Sequence, residues 1–212
     1  MTNGLVPLLP IALSLVPAIA GTARLIELAG HASATPANAR FVDAPIPVTL
    51  HILSVIPFSM LGALQFATQL RRKRWHRVSG RILAPCALVV ALTGLWMAQF
   101  YPWPAGDGVA LYLMRVVVGS AMAVSVVLSA AAIRRRDFAA HGAWMTRAYA
   151  LGLGAGTQVL THLPWFLFVG QPDESVRALL MGSAWVINLV VAERFIRRRL
   201  VHPKVSLAHA AQ

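Results

Sequence analysis

The chain has 212 residues, 58% of them hydrophobic and 12% charged, and its 19 Lys and Arg outnumber 7 Asp and Glu for a formal net charge of +12. A soluble domain carries about 25% charged residues, so this composition, with a mean hydropathy of +0.66, argues against a soluble fold. The positive charge suits anionic lipid headgroups and needs no nucleic acid to explain it.

Six stretches without Asp, Glu, Lys or Arg fill most of the chain, at 1–23, 44–70, 82–106, 116–133, 148–172 and 178–192. Spanning the hydrocarbon core takes about 20 mostly apolar residues. The two shorter stretches reach that length by extending past Arg115 and Arg177. The pattern predicts an all-α polytopic bundle of six transmembrane helices near 5–28, 48–70, 82–101, 109–133, 143–169 and 176–195. They form one domain over 1–204, followed by a frayed tail at 205–212.

The first helix contains Ala18-Ile19-Ala20, which resembles a signal-peptide cleavage site. No Lys or Arg precedes the apolar run and the run continues toward Leu28, so retention is expected. Arg24 and Glu27 stand at i,i+3 spacing, where they can pair. The longest loop, 30–47, is rich in Ala and Pro and leaves no room for a separate soluble domain. Along the second helix His51, Ser54, Phe58, Gly62, Gln65 and Gln69 share a stripe about 80° wide at 100° per residue. Polar side chains on one stripe in a membrane point to an interior face or a wet cavity.

Basic residues cluster in three gaps: six between Arg71 and Arg81, four between Arg134 and Arg147, and five between Arg194 and Lys204. By the positive-inside rule these gaps face the cytoplasm of a bacterial inner membrane, and an even helix count puts both termini there. Tyr101, Trp103, Trp165, Phe166 and Phe168 then fall at outer ends, and Trp75 and Trp144 at inner ends, as interfacial belts do. Cys86, the one cysteine, lies within the third helix, which rules out an intrachain disulfide and a cysteine-rich metal site. Arg115 interrupts the fourth helix below the outer surface and needs a partner, with Glu27 and Asp107 the candidates. An outer network of Arg24, Glu27, Arg115 and His51 is one arrangement.

Four histidines sit at membrane boundaries, His51 and His162 outside, His76 and His141 inside. Neutral imidazole is the usual axial ligand of b-type haem, and two histidines on neighbouring helices can clamp one iron. His76, Ala87 and Gly94 line up on the third helix, with Leu83 narrowing the same face. His141, Ala148, Gly152, Ala155, Val159 and His162 line up on the fifth. Such small residues leave a slot for a flat macrocycle or, equally, let helices pack closely, as Gly152 and Gly156 at GxxxG spacing do. His141 and His162 are 21 residues apart, about 31 Å along a helix, which is wide for rapid electron transfer between two haems. Arg77, Arg81 and Arg147 stand nearest the inner helix starts and form a cationic rim able to take a phosphate, a haem propionate or an acidic substrate.

The order His51, Gly62-Ala63-Leu64-Gln65-Phe66, Trp75-His76-Arg77-Val78-Ser79-Gly80-Arg81 and His141-Gly142-Ala143-Trp144-Met145-Thr146-Arg147 resembles the bacterial membrane-protein family named domain of unknown function 2306, over roughly 48–160. That family name supplies no activity. More loosely, His51 opening one helix, a basic loop, and His76 ahead of the next look like cytochrome b561, a bundle that binds two haems and passes electrons across membranes. That layout places ligands on four successive helices, and the predicted fourth helix here has no histidine, so His162 on the fifth would substitute. The resemblance implies haem b, with His76 and His141 as the first pair of ligands, His51 and His162 as a second, and a quinone or other membrane redox partner. A lipid- or small-molecule-binding membrane protein without metal, and an accessory structural subunit, are the competing classes. The sequence carries no HExxH motif, phosphate-binding loop or nucleophile elbow.

Overall fold

The computed structural model describes residues 7–31, 33–67, 70 and 73–201. Met1–Val6 as a helix start, Gln69 in the second-helix stripe, Arg71 and Arg72 in the basic gap, and the tail at 205–212 lie outside them. Every described element is helical: α1 Leu8–Ala29, α2 Ala39–Asp43, α3 Pro45–Leu64, α4 Arg74–Phe100, α5 Val109–Arg134, α6 Phe138–Gly152, α7 Gly154–Phe168 and α8 Glu174–Val201. Five of these (α1, α3, α4, α5 and α8) are long and apolar enough to cross a membrane. Leucine- and valine-rich runs make them helical because in lipid each backbone N–H and C=O must be bonded within its own segment.

Helix ends differ from the hydropathy reading where charge was taken as the boundary. α4 begins at Arg74, eight residues before the expected start, and α8 runs to Val201. Arg, Lys and Glu are good helix formers, so hydropathy marks where lipid ends and not where the helix ends. α3 stops at Leu64, short of the expected 70, in a tightened turn where Gln65, Phe66 and Ala67 donate to carbonyls three residues back.

The expected fifth helix is two 15-residue helices, α6 and α7, that meet at Leu153. Gly152, Gly154 and Gly156 surround the break, and helix kinks concentrate at such residues. Neighbouring helices supply partners at the break. The Asn188 side chain of α8 donates to the Ala150 carbonyl at 3.1 Å and accepts from the Thr157 hydroxyl at 2.8 Å. Pro17 in α1 lacks an N–H, which leaves the Leu13 carbonyl without its helical donor. That carbonyl faces Gly156, where a Cβ would collide with it, so a glycine Cα–H meets the oxygen instead. Gly154 is likewise pressed by the Trp185 indole of α8.

Around this junction the long helices pack in antiparallel order. α4 lies between α3 and α5, α6 packs chiefly on α5 and α8, and α7 on α8 and α1. One end of the bundle holds Arg74, Arg77, Arg81, Arg134, Arg135, Arg136, Arg194, Arg197 and Arg198 and is called the basic end below. The opposite end holds α2, Tyr101 to Gly108 and the start of α8. Phe58, Ala63, Ala87, Val90, Ala91, Met122, Val126, Ala148, Tyr149 and Leu151 form the core between them.

Asn188→Leu leaves the Ala150 carbonyl and the Thr157 hydroxyl without partners in an apolar interior. A loss of about 1 kcal/mol is expected, read as a lower thermal midpoint in detergent. Gly156→Ala, which forces α1 and α7 apart, should cost about 1–3 kcal/mol by overpacking.

Candidate functional site

At the basic end His141 of α6 faces α5, its Nδ1 sharing a 2.7 Å hydrogen bond with the hydroxyl of Ser129, a residue 1% exposed. His76 stands in the first turn of α4. One turn on, the Ser79 hydroxyl accepts from the Gln65 amide at 2.7 Å and donates to the Trp75 carbonyl, tying α3 to α4. The expected cationic rim divides. Arg147 is engaged by both oxygens of Glu193 on α8, at 2.6 and 3.1 Å, and stacks on Trp144. Arg77 and Arg81 are exposed, one turn apart on α4.

Midway along the bundle, the slot suggested by the small residues is filled. A Cβ on Gly152 would stand 2.7 Å from the Phe58 ring, and one on Gly62 2.8 Å from the Tyr149 ring. The two rings meet edge to face at 5.5 Å, Phe66 joins at 5.0 Å, and the Tyr149 hydroxyl donates to the Ser59 carbonyl. Aromatic packing therefore uses the room, and no macrocycle fits between α3 and α6 at that level. The His141-to-His162 stripe is not one face either, since the break at Leu153 rotates α7 and leaves Ala155 exposed. The second- and third-helix stripes do turn inward, with Phe58, Gly62, Leu83 and Ala87 buried.

Toward the opposite end His51 of α3 meets α4. Thr93 donates its hydroxyl to the Val89 carbonyl at 2.6 Å, so its oxygen accepts the His51 Nδ1–H at 2.9 Å and leaves Nε2 as the acceptor. Gly94 lies against the same imidazole. His162 of α7 donates through Nδ1 to the Gln158 carbonyl of its own helix at 2.8 Å. Among the described residues no group of three or more His, Cys, Asp or Glu could hold a metal ion.

The expected outer network resolves into separate parts. Arg24 pairs with Glu27 at 2.5 Å, and Glu27 also accepts from the Asn38 amide. Arg115 pairs with Asp107, whose other oxygen takes Arg177 of α8 at 2.6 Å. His51 belongs to neither. Asp107, its side chain 2% exposed, thus joins α5 to α8. Arg177 was legible only as an interruption of the last helix, and its role as the second partner depends on a pairing 70 residues away in sequence.

The short α2 builds a platform beside these pairs. Thr35 and Asn38 exchange hydrogen bonds that fix the turn before it. Phe41 packs edge-on to Tyr101 at 5.6 Å, and both Arg24 and Arg40 lie over the Phe41 ring, each 4.6 Å from its centroid. The Tyr101 hydroxyl donates to the Ala44 carbonyl, and Trp96 meets Tyr101 edge to face at 5.5 Å. Burial lowers the Arg40 pKa below the usual guanidinium range, Asp107 opposes this, and Arg115 and Arg24 reinforce it. Trp96 in turn borders a groove of about 270 Å³ between α3 and α4, with Ile46, Pro47, Leu50, Leu92 and Thr93 as its other walls.

Long apolar helices, a buried carboxylate paired across two of them and a basic end together define a polytopic helical membrane protein. Residues 48–196 match the family described as predicted membrane protein, DUF2306, and the chain belongs to that family. The match extends past the quoted motifs through most of α8. No curated protein and no solved structure matches the chain.

Asp107→Asn removes the charge that two guanidiniums share in a buried setting and should destabilise the bundle by about 3 kcal/mol. Adding Arg177→Leu should restore part of that loss, because one uncompensated cation goes with it. Thermal melts of the single and double variants in the same detergent check both statements.

Proposed function

We propose that this protein binds an amphiphile drawn from the bilayer, held by its chain in the groove between α3 and α4. The observation that carries the reading is the groove's composition. Four of the five apolar walls are exposed, Pro47 is half-buried, and one hydroxyl, Thr93, is polarised from behind by His51. Ile46, Leu50 and Leu92 are 70%, 47% and 52% exposed, far more than the core residues behind them. Thr93 Oγ1 keeps one lone pair for a ligand hydroxyl, since it already donates to Val89 and accepts from His51. Apolar walls with a few placed polar groups are the usual make-up of a small-molecule site.

The same proposal includes six crossings of a bacterial inner membrane. α6 and α7 together make the fifth crossing, their break bonded internally through Asn188, as broken helices require at membrane depth. The basic end faces the cytoplasm by the positive-inside rule, which brings both termini to that side.

A second reading is b-type haem electron transfer with a quinone or another membrane redox partner. What favours it is the histidine chemistry. The Nδ1 atoms of His51, His141 and His162 each have a hydrogen-bond partner, as the non-ligating nitrogens of metal-bound histidines do. His76 and His141 would be the ligands, with Arg77 and Arg81 for the propionates, and the haem would supply one-electron chemistry. It would have to bind at the basic end, away from the Phe58 and Tyr149 rings.

Leu50→Trp fills the groove, and lipid extracted from the purified variant should fall below that of the wild type at equal melting temperature. Unchanged lipid content would remove the amphiphile reading. A reduced-minus-oxidised visible spectrum of protein made with ample haem separates the alternatives. The amphiphile reading expects no haem bands, whereas b-type bands lost in both His76→Ala and His141→Ala would establish the second reading.

A further inference from the structure

We propose that the amphiphile is anionic and that Arg40 receives its phosphate or carboxylate. The proposal deepens the groove reading and rests on it. Three observations meet at this residue. First, the other guanidiniums at this end are ion-paired, Arg24 with Glu27 and both Arg115 and Arg177 with Asp107, whereas Arg40 has no carboxylate partner among the described residues. Its one hydrogen bond there is a long one, 3.5 Å to the Pro102 carbonyl, out of five donors.

Second, Arg40 is held in place. Its guanidinium lies over Phe41, and Phe41 is fixed by the edge of Tyr101, itself anchored through its hydroxyl to Ala44. A guanidinium stacked on a ring keeps its in-plane donors for a bidentate anion. Third, the platform continues the groove. Trp96 forms a groove wall and also packs on Tyr101, while Ile46 and Pro47 follow α2 by only a few residues. A chain lying along Leu92 and Leu50 therefore has its head at the α2 end.

Charge at the site favours an anion. Around Phe41 and Asp107 four guanidiniums face two carboxylates, Glu27 and Asp107, and the pairs just named use both. The remaining acids at this end are placed otherwise. Asp173 accepts from the backbone N–H of Val176 at the start of α8, Glu174 lies against Gly108, and Asp43 makes no ion pair among the described residues. A phospholipid headgroup and a free phosphate share the chemistry that Arg40 would recognise.

The test uses the full chain purified in neutral detergent and native mass spectrometry with added phosphatidylglycerol, phosphatidylcholine or inorganic phosphate. The wild type should retain phosphatidylglycerol over phosphatidylcholine, and Arg40→Gln should cut that preference about tenfold, the effect of one hydrogen bond to a charged group. Arg40→Lys, which keeps the charge and loses the fork, should fall between them and supplies the answer if the glutamine variant does not fold. Competition by inorganic phosphate would support a site that accepts the free anion as well. Its absence, with the lipid preference intact, would support a head that needs its chain. An unchanged preference in Arg40→Gln, or no preference in the wild type, would overturn the proposal. If Leu50→Trp leaves lipid binding intact while Arg40→Gln abolishes the preference, the groove reading fails and the headgroup site stands.

Discussion

The break between α6 and α7 is bridged from α8, and in an interior without water such bridging is what lets a helix break. Asn188 is the central piece. Its amide serves the Ala150 carbonyl on one side of the break and the Thr157 hydroxyl on the other, which links α6, α7 and α8 through one side chain. Gly156 against the Leu13 carbonyl adds α1, and Gly152 against Phe58 adds α3. The alternating glycines do not loosen the chain here. They let three neighbours approach a single point, and the angle of α7 relative to α6 follows from which neighbour each glycine admits.

The glycines also let aromatic rings close the space between α3 and α6. Phe58, Tyr149 and Phe66 pack into the room that Gly62 and Gly152 provide, so the middle of the bundle is closed by aromatic rings. The ion pairs among the described residues lie at the two ends. The basic end carries Ser129 with His141, Gln65 with Ser79, and Arg147 with Glu193. The opposite end carries the Asp107 ion pairs and the α2 platform. At the opposite end the groove between α3 and α4 leads toward Arg40, which has no carboxylate partner among the described residues.

Much of the architecture was legible because hydropathy reports lipid contact directly. The runs that became α1, α3, α4, α5 and α8 follow from it. Helical spacing allowed the pairing of Arg24 with Glu27, and Asp107 was one of two candidate partners for Arg115, the other being Glu27. The inward stripes of α3 and α4 were readable from period alone. The break at Leu153 was not, because an apolar run looks the same whether it bends or continues, and glycine at two-residue spacing signals close packing as readily as a kink. Phase arguments carried across the break failed with it, which is why Ala155 is exposed.

Of the candidate site residues, sequence located His51, His76, His141 and His162 but not what holds them. Thr93 and Ser129 are ordinary hydroxyls in apolar helices, and their significance depends on which helix stands opposite. Arg40 and Phe41 sat in a loop read as rich in Ala and Pro, and the fold links them through Tyr101 to Trp96. A high-resolution structure of the protein in lipid nanodiscs containing phosphatidylglycerol tests the central claim most directly. The account predicts chain-shaped density along Leu50, Leu92 and Trp96 ending in a headgroup at Arg40. A groove without ordered lipid, with density for a macrocycle between His76 and His141, would contradict it.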